Sequence, residues 1–258
     1  MAIEMPSEQT WIFLEWQGRP ESAAQCAARM VRMIENFGQC DARLDRWCEG
    51  GWTRRETSVP FSTMPPQVAP MIRRIDRGRW RDSRGQPVNP QLFHVHAYNR
   101  AFTPPLQFSA AIGMPVRDRG ELPNRIYIIV SGAAEDQVSA ALLKEMLLAL
   151  VEAWQPAVGR VRPPGLTVDR SSFVQAGWLT YLAPALARRI KPPPGAIVEP
   201  VPGGGLLLSA SENRFDASNP RDQAALHAIQ EGLAPLGEMA WPPDVGLDQV
   251  SNETEAAR

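Results

Sequence analysis

Lysine is nearly absent from this chain of 258 residues: only Lys144 and Lys191 carry an ammonium. Neither follows a glycine, so no Walker A loop can bring a lysine onto nucleotide phosphates. Nor does either have an acidic residue two places before it, as restriction-type nuclease sites usually do. Leu142 holds that place before Lys144, and Arg189 holds it before Lys191. A strand-linked G-x-G-x-x-G and a G-x-S-x-G elbow are also missing, which argues against dinucleotide binding and α/β-hydrolase chemistry. Cysteine is limited to Cys26, Cys40 and Cys48, an odd number without CxxC spacing, as expected of free thiols in a reducing compartment. No hydrophobic run is long enough to span a membrane, and Met1 to Thr10 lacks the pattern of a signal peptide. The expectation is a cytoplasmic protein.

Charge of one sign is lacking too. The formal net charge is −1, with 27 basic and 28 acidic residues. General nucleic-acid affinity needs a basic excess, so no nucleic-acid partner is expected. The hydrophobic share of 44% and charged share of 21% are ordinary for a globular protein. Proline is abundant at 25 residues, which suits many short elements.

Thr10 to Trp16 is dense in aromatic and β-branched residues and is expected to form a first strand. Ser22 followed by Gln25 is a capping-box signature. Ala23, Cys26, Ala27, Met30, Ile34 and Phe37 then recur at helical spacing, up to about Gly38. Trp47 to Pro70 is expected to be irregular, with a short helix at Met71 to Ile75. Strands are expected at Phe93–Asn99, Leu106–Gly113 and Ile126–Ser131, then a long helix over Glu135–Trp154. Further strands are placed at Gly177–Leu182, Ala196–Val201 and Leu206–Ala210, the last two joined through Gly203-Gly204-Gly205; on the first of them Trp178 and Tyr181 are expected on opposite faces, one buried and one half-exposed. Asn219-Pro220 opens a closing helix to about Leu233. This order indicates an α+β fold, a largely antiparallel sheet with packed helices in a single domain over residues 1–243. Residues 244–258 bury little and are expected to be a disordered tail.

Two groups of residues could carry function. His94 and His96 share a face if they lie on a strand and could place two imidazoles on one metal, but the sequence offers no third ligand. Partly exposed strand histidines are the plainer expectation, and no cofactor is expected. Arginines crowd between Arg73 and Arg84 around Trp80. They are either a solvated segment paired with Asp76 and Asp82, a docking surface, or a nucleic-acid contact. Trp and Arg are enriched at interface hot spots, which favours Trp52, Arg77, Arg79, Trp80 and Arg81 as docking residues.

Three segments together carry a resemblance: Glu15 to Ser22 with the Cys26-Ala27 helix and Trp47; Arg79-Trp80-Arg81-Asp82 with Gly85; and Gly177 to Leu182 with the glycine-rich hairpin and closing helix. In order and spacing, across residues 10 to 240, they resemble the immunity protein 52 family of bacterial polymorphic toxin systems. That resemblance implies a non-enzymatic protein that binds and neutralises a cognate toxin. The toxin would typically be a restriction-endonuclease-like nuclease delivered by type VI secretion. Alternatives are an adaptor or chaperone of a secreted effector, and a small metal-dependent enzyme using His94 and His96. A plug for a DNA-binding cleft is commonly acidic, and Asp41, Asp45, Glu49 and Glu56 are a possible local cluster in this near-neutral chain.

Overall fold

The computed structural model describes residues 9–49, 61, 68–77, 84, 86, 92–114, 124–166 and 174–236. These form one nine-stranded sheet in the order β2-β3-β4-β5-β1-β6-β7-β9-β8. The strands are β1 (Gln9–Trp16), β2 (Trp47–Glu49), β3 (Phe93–Asn99), β4 (Leu106–Ile112) and β5 (Asn124–Ser131). They continue as β6 (Val158–Arg162), β7 (Leu179–Leu182), β8 (Ile197–Val201) and β9 (Gly205–Ser209). Every pairing is antiparallel. The helices are α1 (Ala23–Cys40), α2 (Val68–Arg77), α3 (Ala140–Trp154), the short α4 (Pro184–Ala187) and α5 (Pro220–Gly232). The α+β, antiparallel, single-domain expectation holds.

Strand periodicity sorts side chains to two faces. On β1, Ile12, Leu14 and Trp16 are buried on the face that α1 and α3 cover. Through the register this face continues as Ile126, Ile128 and Val130 on β5, Phe108 and Ala110 on β4, and Val95 and Ala97 on β3. The other face holds Trp11, Phe13 and Glu15, beside Tyr127 and Ile129 on β5 and His94 and His96 on β3. It is half-exposed along much of β3 and β5.

The α1 helix begins as its sequence directs. The Ser22 hydroxyl accepts from the Gln25 backbone N–H, and the Gln25 side chain accepts from the Ser22 backbone N–H. The apolar stripe of α1 is buried from Cys26 to Phe37. Burial pushes the Cys26 thiol up to about 12.

Four expectations are corrected. The long helix does not start at Glu135. Gly132–Gln137 is a 3-10 turn, Val138 is extended, and the Ser139 hydroxyl caps α3 by accepting from Leu142 N–H at 3.1 Å. A local serine cap wins over continuous periodicity there. Trp47 to Pro70 is not wholly irregular, since Trp47–Glu49 pairs with Ala97–Asn99 as β2. A whole strand, β6, has no counterpart among the expected elements. Its sequence VGRVR lacks apolar alternation, yet it is central, between β1 and β7. Finally, Trp178 and Tyr181 are both buried, at 2% and 5% exposure, rather than one being half-exposed. The strand starts at Leu179, and β7 is buried on both faces.

Glycines permit this packing. A Cβ on Gly177 would stand 2.5 Å from the Val161 carbonyl oxygen, and one on Gly205 would stand 2.6 Å from Cε2 of Tyr181. The Tyr181 ring therefore lies over Gly205, at the start of β9.

Candidate functional site

The segment Glu15 to Ser22 is a structural clamp. The Glu15 carboxylate pairs with Arg160 Nη2 at 2.8 Å across the β1–β6 pairing. The Trp16 ring packs against Trp154, centroids 5.9 Å apart, and the Arg19 guanidinium lies 5.6 Å from the Trp16 centroid. A helix C-terminus leaves carbonyls without intrahelical partners. Here Arg19 Nη2 donates to the Trp154 carbonyl at 2.9 Å, and Arg29 Nη1 donates to the Ala153 carbonyl at 2.9 Å. Glu21 sits between the two arginines, 3.3 Å from Arg19 Nε and 2.5 Å from Arg29 Nε. Burial lowers the Arg19 pKa and Glu21 opposes that shift. The clamp ties β1 and the start of α1 to the end of α3.

Beside this clamp runs a groove of about 880 Å³. One wall is the last turns of α1, with Asn36, Gln39 and Cys40; the floor is the outer face and C-terminal end of α3. The opposite wall is α4 and the β8–β9 hairpin, with Pro184, Arg188, Pro202 and Gly203. Its size lies within the range of about 300–1,000 Å³ typical of ligand clefts. Trp16 and Tyr181 supply aromatic surface, and Leu148 and Ala149 aliphatic surface. The Tyr181 hydroxyl has no hydrogen-bond partner among the described residues, and burial pushes it up to about 12, so it stays protonated. Glu145 and Glu152 lie two helical turns apart on α3, exposed and without an ion-pair partner among the described residues. Arg188 is likewise exposed on the far wall.

The second face of the sheet gathers aromatic and basic groups. Trp11 and Phe13 stack with centroids 5.4 Å apart and planes 9° apart, and Tyr127 lies 5.6 and 6.2 Å from them. Arg160 caps Phe13 at 5.2 Å. Arg162 is buried next to it, and burial together with Arg160 brings its pKa down to about 10. His94 and His96 share this face, as their spacing predicts. Desolvation lowers both imidazole pKa values, and His96 and Arg125 lower that of His94 further. Among the described residues, no three His, Cys, Asp or Glu side chains converge as a metal site.

Of the predicted docking residues, Trp52, Arg79, Trp80 and Arg81 lie outside the described residues, and Arg77 ends α2 with its side chain outside them. Nearby, Arg73 is exposed. Arg74 pairs with Glu49 at 3.0 Å and lies 5.2 Å from the Phe61 ring centroid. The possible acidic cluster is not a free one. Asp41 pairs with Arg43 at 2.6 Å, Asp45 with Arg46 at 3.6 Å and Glu49 with Arg74, while Glu56 lies outside the described residues. Each of the three described acids has an arginine within ion-pair distance, two of them close in sequence. The groove residues Glu145, Glu152 and Tyr181 escape the sequence reading. The only available signal was the pair of acids on the α3 face opposite its apolar stripe.

Among the described residues no helix is long and apolar enough to cross a membrane. No curated protein matches the chain. Among solved structures, the fold is similar to that of the Pseudomonas aeruginosa T6SS protein PA0821, with a TM-score of 0.56. That alignment covers 89% of this chain and 76% of the other at 10% sequence identity. Residues 128–240, which include Gly177 to Leu182, the glycine hairpin and α5, match the family described as Immunity protein 52.

Proposed function

We propose that this chain is an immunity protein: it binds a cognate secreted toxin stoichiometrically and neutralises it without performing catalysis. The family match over residues 128–240 carries this reading. We extend it to a restriction-endonuclease-like nuclease toxin delivered by type VI secretion. A toxin of that kind has to be met in the cytoplasm, where the nucleic acid is. The tie of the β1–α1 segment to the end of α3 by Arg19 and Arg29 supports a preorganised binding surface, which lowers the ordering cost of association. Trp52, Arg77, Arg79, Trp80 and Arg81 remain proposed contributors to toxin contact, because Trp and Arg anchors carry most of the energy of such interfaces.

Co-expression with the toxin domain encoded beside this gene tests the proposal, with growth and co-purification scored together. Growth rescue with a stable complex is the expected result. A complex without rescue would favour an adaptor of a secreted effector. Neither rescue nor complex would remove the immunity reading for this pair.

A further inference from the structure

We infer that the groove along α3 is where the toxin docks, and that it takes a basic segment of the toxin, an Arg or Lys side chain on an apolar loop. This inference rests on the proposed immunity function. Asp41, Asp45 and Glu49 are already paired with Arg43, Arg46 and Arg74. Glu145 and Glu152 are different: they are exposed at the groove and unpaired among the described residues. About 10.5 Å of helix separates them, at about 1.5 Å of rise per residue. Against them stands Arg188, while the other arginine of the groove, Arg19, is already engaged by Glu21 and the Trp154 carbonyl.

Tyr181 also lines the groove, 5% exposed, and its hydroxyl has no hydrogen-bond partner among the described residues. Its hydroxyl can accept a hydrogen bond from a guanidinium or ammonium. Leu148, Ala149 and Pro184 supply the apolar surface that the aliphatic stem of an Arg or Lys covers. A nuclease toxin presents basic residues where it holds nucleic acid, so its charge complements this groove.

The test measures the affinity of the full chain for the catalytically inactivated toxin domain encoded beside the gene, by titration calorimetry at low and at physiological salt. The charge-reversal pair Glu145→Lys with Glu152→Lys should weaken binding by about 30-fold or more, with the loss shrinking as salt rises. Tyr181→Phe, which removes only the hydroxyl, should weaken it about 10-fold. Both variants should unfold at the wild-type temperature within a few degrees. Gln107→Ala, on the far face of the sheet, should bind as wild type. Wild-type affinity in the charge-reversal variant would overturn the groove assignment and leave the immunity function standing. No binding by the wild-type chain would overturn both.

Discussion

Arg19 and Trp154 lie 135 residues apart in the chain and meet through one hydrogen bond, Arg19 Nη2 to the Trp154 carbonyl at 2.9 Å. The bond joins a residue three places beyond β1 to the last residue of α3, and Glu21 and Arg29 complete the network around it. A sequence segment that looks like a recognition signature is thereby a helix cap.

Arg19→Met should therefore destabilise the fold. It keeps most of the aliphatic packing but leaves the Trp154 carbonyl without its donor and Glu21 with one arginine instead of two. A loss of about 3 kcal/mol is expected, at the low end of the roughly 3–5 kcal/mol for breaking a buried ion pair by removing one partner, because Arg29 still faces Glu21. Urea unfolding monitored by tryptophan fluorescence checks it. A midpoint equal to wild type would mean that solvent or a neighbour already serves that carbonyl.

Gly177→Ala and Gly205→Ala should differ although both glycines are tightly packed. At Gly177 the new Cβ meets a backbone oxygen of β6 at 2.5 Å, so the sheet itself must shift. At Gly205 the nearest atom belongs to the Tyr181 ring, which can turn by a small angle. The Gly177 variant should lose more than about 3 kcal/mol and the Gly205 variant about 1–3 kcal/mol, on the scale of overpacked cores. Thermal unfolding of the two variants side by side measures the order.

Alkaline stability follows from Cys26 and Tyr181. Their ordinary values are 9.0 and 10.0, and burial raises both to about 12 in the folded chain. The unfolded chain therefore ionises first. Stability should be intact below pH 9 and should fall as pH rises from 9 towards 12. Cys26→Ala under reducing conditions should remove the part of the decline that begins near pH 9. An unchanged slope would mean the thiol is not held neutral by the core.

On the acid side the sign is opposite. The His94 imidazole is held below its ordinary 6.5 by desolvation, His96 and Arg125, so the folded chain resists protonation that the unfolded chain accepts. The stability it contributes is present above pH 6.5 and is lost as pH falls through its folded value. His94→Gln should flatten that decline, and NMR titration of the wild-type imidazole should give a midpoint below 6.5. A midpoint at or above 6.5 would overturn the assignment.

Much of the secondary structure was legible from short-range chemistry. Ser22 and Gln25 cap α1, aromatic and β-branched residues mark β1, alternation marks β3, three glycines mark the β8–β9 hairpin, and Asn219-Pro220 opens α5. These signals lie within a few residues of the structure they specify, so the sequence by itself determined them. It also determined that His94 and His96 share a face, because period two is a property of any strand.

Only the tertiary structure decided the rest. The β6 strand is a strand because β1 and β7 flank it, and its arginines are tolerated because Glu15 and Phe13 receive Arg160. Trp178 and Tyr181 are both buried because neighbouring elements cover them, which no local pattern records. The acids tell the same story. Asp41, Asp45 and Glu49 pair with nearby arginines, whereas Glu145 and Glu152, at the edge of a groove, have no ion-pair partner among the described residues. Pairing of charges depends on distance in space, and the chain's near-neutral composition averages over that distance.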